Sequence, residues 1–412
     1  LDANYVLVTD LNETTSGYSD VASPSANDGN GFVPVGTFGS PFTGTFNGSG
    51  YTISSLTIDR SASDVGLFGY VEGGTVKDVG VEDADVTSDN QVGGLVGVNV
   101  NGGTVKNSYV AGNVSGFNDV GGLVGESFGS SSLIKNSYAT GNVSGNSQVG
   151  GLVGSLSFGT VTESYATGAV SGSSDVGGLV GDSDGTVTDS YWDVNTTNQT
   201  TSAGSPDANG LTTAEMTGVN ATDTMSGFAF TETWHATDAY PALAWEDTDP
   251  FYGVNITDTN SLVTPGETLN VTATVTNWGA DGGDQTVELL DFNGTRQDTV
   301  QVALGSGDAA EQTLSWSTEE SDTGSDNVTV HSEDDTAVQT VGIGDPINYS
   351  DLTVSNTTIF DGEAFDVSTT VTNEDESDSR VYTAELKQNG TVVDTKSGTL
   401  AGGANTQITF ST

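Results

Sequence analysis

The apolar positions in the first half of the chain form a repeat. Val-Gly-Gly-Leu-Val-Gly stands at 92–97, 120–125, 149–154 and 176–181, after a shorter founder, Val-Gly-Leu-Phe-Gly, at 65–69. The first residues of these units lie 27, 28, 29 and 27 positions apart, a period too long for a heptad and of the length that marks a stacked repeat. Each unit adds two further apolar pieces, such as Thr-Val-Lys-Asn-Ser-Tyr at 104–109 with Asn-Val-Ser-Gly at 113–116, and Leu-Ile-Lys-Asn-Ser-Tyr at 133–138 with Asn-Val-Ser-Gly at 142–145. Short β-branched runs separated by Gly, Asn and Ser read as three strands and three corners per period. The pattern predicts the coils of a β-solenoid.

Comparing units gives the direction of individual side chains. Tyr109, Tyr138, Tyr165 and Tyr191 share one position, where the founder has Gly80; Ser108, Ser137, Ser164 and Ser190 precede them, where the founder has Val79. A site that accepts Val or Ser is small and inward, so period-2 alternation places the tyrosines on an outer face. Asp64, Gln91, Asp119, Gln148 and Asp175 form a second ladder before the Gly-rich runs. Stacked carboxylates about 4.8 Å apart repel by roughly 1 kcal/mol in water, and alternation with Gln doubles their spacing and supplies an amide donor. A third ladder, Lys77, Lys106 and Lys135, gives way to Thr162 and Thr188 and reads as solvated charge offsetting an acidic surface.

Outside the period, residues 1 to about 64 have the same strand-and-Gly texture with irregular spacers, as expected of terminal capping coils. After Tyr191 the repeat stops. Thr212 and Glu215 have capping-box spacing for a short helix, and Phe228, Phe230, Trp234, Tyr240 and Trp245 are expected to seal the last coil. A different repeat begins near Phe251: Leu269, Val271, Ala273 and Val275 alternate with polar residues, as do Phe365, Val367, Thr369 and Val371, 96 positions later. About 96 residues with a strand every 8 to 12 suggest an immunoglobulin-like β-sandwich. The second copy has no counterpart for the last two strands of the first, so its completion by further chain or by a strand from a neighbouring copy is expected. The organisation is all-β: solenoid 1–195, C-terminal cap 196–250, one sandwich 251–345, and a second, incomplete one 346–412.

Composition changes this picture in one respect. Eight Lys and Arg face 56 Asp and Glu, for a formal charge of −48. Such a chain repels nucleic acid and anionic membranes, and its self-repulsion calls for molar salt, where the Debye length is about 3 Å. There is no Cys, hence no disulfide framework, and no apolar run long enough to span a membrane. Starting at Leu1, the sequence suits a mature extracellular piece whose signal and anchor lie elsewhere. Asn-x-Ser/Thr sequons include Asn113, Asn142, Asn255, Asn270, Asn293, Asn327, Asn356 and Asn389, of which Asn270 and Asn327 alternate with apolar residues and should face outward.

The Gly-Gly-Leu-Val-Gly runs, the Gly-Thr-Val-x-x-Ser-Tyr that follows, Ser-Tyr-Trp-Asp at 190–193, Gly-Leu-Thr-Thr-Ala-Glu-Met at 210–216 and Tyr-Pro-Ala-Leu at 240–243 resemble proteins carrying the GLUG repeat. The resemblance implies a secreted or surface-bound repeat protein, frequently an adhesin, and carries over no catalytic residue. The 96-residue copies are similar to CARDB-type modules of halophilic archaeal surface proteins.

No metal, cofactor or catalytic constellation is expected. The solenoid carboxylates repeat evenly rather than converging, as a polysaccharide lyase or glycosidase would need, and the two histidines, His235 and His331, fall in different predicted domains. The candidate site is the ladder Tyr109, Tyr138, Tyr165 and Tyr191, whose flat rings suit sugar faces and equally suit stacking between coils. The expected role is extracellular adhesion or display by a halophile, with a cell-surface or glycan ligand as partner. A filament of neighbouring copies joined by strand exchange, and a polysaccharide-binding or polysaccharide-cleaving β-helix, are the alternatives.

Overall fold

The computed structural model describes residues 1–204, 209–230, 232–246, 249–355, 365–375, 379–388 and 390–411. Two compact units result, 1–251 with 278–281, and 252–277 with 282–412.

The first unit is a β-solenoid with three stacked parallel sheets. Two contain five strands each, one per coil, and the third, with 13 strands, climbs from Tyr5–Val6 through Thr45–Ser54, Thr75–Thr87, Thr104–Ser115 and Leu133–Ala139 to Tyr191–Asp193 and Gly210–Leu211. Coils stack in the register the repeats imply: Val92 opposes Val120, Val120 opposes Val149, and Val149 opposes Val176. Within one coil, Val92, Leu95, Val96, Val105, Val110 and Val114 all turn into a continuous core and are buried. No coil can bury these residues alone, so neighbouring coils supply the missing half of the core.

One corner falls inside the Gly-rich run rather than beside it. Asn90–Gly93 and Val96–Val100 belong to different sheets, and the chain turns between them. Conversely, the other two apolar pieces of that coil run through as one strand, Thr104–Ser115, and separate only in the next, as Leu133–Ala139 and Val143–Ser144.

The inward serines are a structural ladder. Ser108, Ser137, Ser164 and Ser190 are fully buried. Each hydroxyl donates to the carbonyl two residues back at 2.8 Å and accepts a backbone N–H from the coil below, as in Ser108 N to Ser137 Oγ (3.3 Å) and Ser137 N to Ser164 Oγ (3.1 Å). Ser is selected here because the hydroxyl satisfies a buried amide at a bend where the preceding residue is left-handed: Asn107, Asn136, Glu163 and Asp189 all have φ near 48°.

At the N-terminal end, Tyr5–Val6 adds a parallel strand to Thr45–Ser54, and the short helix Tyr18–Ala22 packs Tyr18 and Ala22 against the core. At the other end, Trp192 Nε1 donates to the Gln199 carbonyl (3.0 Å), Gly178 N to Thr201 O (3.0 Å) and Val180 N to Ser202 Oγ (2.8 Å). This return loop, not the aromatic segment, covers the last coil. The aromatic cluster of 228–245 instead packs sideways onto the tyrosine face, a correction with a simple cause: the ladder offers apolar rings to pack on and hydroxyls to anchor the cover.

The second unit is antiparallel. Tyr252–Thr259, Thr268–Asn277 and Ala309–Ser317 form one sheet, and Arg296–Leu304, Gly283–Leu290, Gly324–His331 and Thr336–Ile343 form the other, enclosing Leu269, Val271, Ala273, Val275, Leu314 and Trp316. The second copy repeats this with Ile347–Val354, Asp366–Asn373 and Asn405–Ser411 against Arg380–Gln388 and Thr391–Leu400. The copies share a buried fastening: Asn277 Nδ2 donates to Leu304 O and Asn373 Nδ2 to Leu400 O, both at 3.2 Å. Among the described residues, Arg380–Gln388 pairs with Thr391–Leu400 alone, whereas its counterpart Gly283–Leu290 has a partner on each side. Arg380 bonds Asp375 at 3.0 Å and reaches back to the Glu267 carboxylate at 3.2 Å.

Candidate functional site

Two outer faces of the solenoid carry ladders of chemically distinctive residues. On the first, Tyr109, Tyr138, Tyr165 and Tyr191 stand in register, and Tyr109 opposes Gly80 of the founder coil. The rings of Tyr109, Tyr138 and Tyr165 stack almost parallel, with centroids 4.9 and 4.8 Å apart and tilts of 6° and 4°. Gly80 is required by this arrangement, because a Cβ there would lie 2.4 Å from the Tyr109 ring.

The ladder points away from the coil core, yet it is not accessible. Tyr109 is 6% exposed, Tyr138 8%, Tyr165 1% and Tyr191 8%. Met216, Met225, Phe228, Trp234 and Leu243 lie over it, and three of the four phenols bond to that cover. Tyr138 Oη donates to Glu246 (2.5 Å), Tyr165 Oη to the Pro241 carbonyl (2.8 Å), and Tyr191 Oη accepts from Gly227 N (3.2 Å). Tyr109 Oη donates to Glu82 (2.6 Å) within the coils, and Trp245 Nε1 to the Asn107 carbonyl (3.2 Å). Burial, followed by the neighbouring tyrosines and Glu246, holds the Tyr138 phenol well above its usual range; for Tyr165 the order is burial, then Glu246. As a surface for sugar rings the tyrosine ladder is therefore corrected: the cap occupies the face that a ligand would need.

The cap is held by a buried carboxylate. Asp193, with no exposure, caps the turn Val194–Thr197 by accepting from Asn195 N (2.7 Å), and also accepts from Thr213 Oγ1 (2.6 Å) and Tyr240 Oη (2.5 Å). Burial and this bond raise the Tyr240 phenol to about 12. The anticipated capping box is present, Thr212 N and Oγ1 each donating to Glu215 Oε2 at 2.8 Å, and it opens the 3-10 turn Thr213–Glu215.

The second face is open. Asp64, Gln91, Asp119, Gln148 and Asp175 all adopt left-handed backbone, with φ from 49° to 60°, so the ladder lies at a bend beside the strands that carry Tyr70, Val98, Glu126, Ser155 and Asp182 in register. Gln91 Nε2 donates to Asp119 at 3.0 Å, as the alternation implies, but Gln148 turns to Asp182 at 3.2 Å on the adjoining strand. Burial raises the carboxyls of Asp64, Asp119 and Glu126; Gln91 opposes the shift at Asp119, and Asp119 and Asp64 add to it at Glu126. Phe38, Tyr70 and Phe128 stand beside these acids around a pocket of about 350 Å³. Sequence reasoning missed this pocket because Phe38 belongs to the irregular N-terminal region and no period relates it to Tyr70 or Phe128.

The other predicted positions are dispersed. Lys77 pairs with Asp78 at 2.6 Å and Lys135 with Glu163 at 2.9 Å, the charge-offsetting role anticipated for that ladder. Asn113, Asn142, Asn255, Asn293 and Asn327 are exposed, and Asn270 is half-buried, its amide oxygen accepting from Ser315 Oγ (2.8 Å). Asn356 and Asn389 lie outside the described residues. No helix among the described residues is long and apolar enough to cross a membrane.

Comparison with known proteins places the coils. Residues 88–115, 118–144 and 145–171 match the GLUG motif. A 131-residue stretch, 30% of the chain, is 37% identical to Halomucin of Haloquadratum walsbyi, and it spans only 1% of that protein's length. Two solved structures of Escherichia coli alpha-2-macroglobulin, one trypsin-activated and one activated by porcine elastase, share 13% and 12% identity over 40% and 43% of the chain, covering 13% and 20% of those chains. With a TM-score of 0.18 in each case, they carry no argument about this fold. Three consecutive coils of the solenoid, within residues 88–171, are thus the part of the chain that matches the GLUG motif.

Proposed function

We propose that the chain is a non-enzymatic surface protein of a halophile, serving adhesion or surface display, with the solenoid as the presented element and the sandwiches as supporting modules. The observation that carries the reading is the coil stack: GLUG motif repeats in strict register, with inward hydroxyls and outward phenols committed to holding the stack and its cap together. The relative named Halomucin supports a surface location, and the charge of −48 supports molar salt as the working solvent. Exposed sequons such as Asn113, Asn142 and Asn327 are the positions we assign to glycosylation.

The test is surface labelling of intact cells in molar NaCl with a membrane-impermeant amine reagent, paired with adhesion of beads coated with the purified chain. Labelling without lysis and bead attachment above that of beads coated with an unrelated acidic protein are expected. Labelling that requires lysis would remove the surface reading; labelled but non-adherent protein would leave display and remove adhesion.

A further inference from the structure

The pocket on the open face has the makings of a binding site that neither the coil stack nor the adhesion reading uses. Phe38 occupies the tip of a tight turn closed by Thr37 N to Ser40 O (3.1 Å) and Ser40 N to Thr37 O (2.9 Å), and it is 77% exposed. A residue so exposed contributes little to the core. Its ring nevertheless meets Tyr70 edge-on, with centroids 5.6 Å apart at 83°, so two aromatic faces form a right-angled corner. Phe128, 46% exposed, stands across from them, Val98 and Val100 line the same space, and Asp64, Gln91 and Glu126 complete the lining.

The carboxylates are what distinguish this pocket from a chance apolar dimple. Asp119 beside it takes the Gln91 amide, but among the described residues nothing donates a hydrogen bond or an ion pair to Asp64 or Glu126. Each is pulled partly out of water; Asp119 and Asp64 act electrostatically on Glu126, and Asp64 and Glu126 act on Tyr70. A half-desolvated pair of like charges without a partner is unfavourable unless something positive joins it. An inorganic cation would have to shed tightly held water to reach three aromatic rings and two valines, which the ring quadrupoles do not repay. A substituted ammonium group gains from both, because its methyl or methylene surface packs on ring faces whose quadrupole attracts it, while its weak hydration makes entry inexpensive.

We propose that this pocket binds the substituted ammonium head of a small organic cation, with Phe38, Tyr70 and Phe128 as aromatic walls and Asp64 and Glu126 as counter-charges. The site goes beyond the adhesion reading and does not depend on it, since it is defined within the solenoid.

The experiment is a titration of the full chain in molar NaCl, followed by calorimetry and by chemical shifts of the ligand methyl groups, with choline as probe and 3,3-dimethyl-1-butanol as its uncharged counterpart of the same shape. Choline is expected to saturate a single site, with the neutral compound at least about tenfold weaker. Phe38→Ala should weaken choline by about five- to tenfold, and Asp64→Asn with Glu126→Gln should abolish it, while neither variant lowers the thermal transition of the parent. Phe117→Ala, which removes an exposed ring that does not line the pocket, should change nothing. Absence of saturable binding by the folded parent, equal binding of the neutral compound, or indifference to Phe38→Ala would each overturn the proposal. Because the titration uses the isolated chain, its failure is separate from any failure of surface labelling or bead adhesion.

Discussion

The two ladder faces of the solenoid obey the same geometry and reach opposite ends. Both place one side chain per coil at the spacing of stacked strands, so each residue faces the equivalent position of the next coil. Neutral phenols tolerate this: their rings stack within 5 Å, their hydroxyls reach Glu82, Glu246 and Pro241, and the whole face is sealed beneath the cap. Carboxylates do not. Asp64, Asp119 and Asp175 are interleaved with Gln on left-handed backbone and are not sealed over: Asp64 and Asp119 stay half-buried and Asp175 is exposed. Stacking identical groups is thus cheap when they are neutral and can be covered, and costly when they are charged and must keep their water.

The largest expected effect comes from breaking the covered face at its centre. Tyr165→Ala removes a ring that touches Tyr138, Phe228, Trp234 and Tyr240 together with the anchor to Pro241, and should cost about 3–5 kcal/mol in denaturant unfolding in molar salt. Trp234→Ala, acting from the cap side, should match it. If both fall below about 1 kcal/mol, the cap is not packed on the ladder as described.

Alkali should attack the same face. The phenols of Tyr109, Tyr138 and Tyr165 are held above their ordinary value by burial, so the folded state keeps protons that the unfolded state gives up. Their contribution is fully present below pH ~10 and is lost as pH rises from there toward the folded values. Circular dichroism with tyrosinate absorbance should show the phenols ionising together with unfolding, not before it; independent early titration would contradict the sealed face.

A smaller effect is expected inside the coil. Ser137→Ala leaves the Ser108 amide without its acceptor and should cost about 1–3 kcal/mol by the same unfolding measurement. Asp119→Asn on the open face should be smaller still, within about 0.5 kcal/mol in molar salt, and stabilising when salt is lowered. The pH dependence of this face has a definite sign. Asp64, Asp119 and Glu126 carry raised folded values, so the folded state binds more protons, and acidification from neutrality toward the ordinary carboxylate range should increase their contribution to stability. Glu215 and Glu267, lowered chiefly by their bonds from Thr212 and Thr264, act oppositely, their stabilisation being lost as pH falls through the lowered values. The Asp119→Asn variant should therefore show a weaker stabilising trend on acidification than the parent.

Much of this architecture is legible in the residues. The 27–29-residue spacing implies stacked coils, and the Val-for-Ser exchange between Val79 and Ser108 identifies an inward site, which the structure fills with a hydroxyl ladder. The capping box at Thr212 and Glu215 and the 96-residue duplication, with Asn277 and Asn373 in equivalent buried roles, are equally local or periodic signals. Legibility fails where contacts join residues that no period relates. Phe228, Trp234 and Tyr240 announce an apolar surface without saying which surface they cover, and either the coil end or the tyrosine face would satisfy their hydrophobicity. Gln148 bonding to Asp182 on the adjoining strand, where the alternation pointed to a ladder neighbour, is a similar case.

By itself, then, the sequence determined the solenoid, its register, the inward and outward assignment of the Ser and Tyr ladders, and the antiparallel modules that follow. These rest on periods of two residues and of one coil, and periodic burial is a one-dimensional property. Only the tertiary structure decided that the tyrosine face is closed and the Asp/Gln face open, and that Phe38, Tyr70, Asp64, Glu126 and Phe128 meet in one pocket. The physical reason is that which ladder is covered depends on where a non-repeating segment returns along the stack, and that is set by the balance of aromatic burial against carboxylate desolvation.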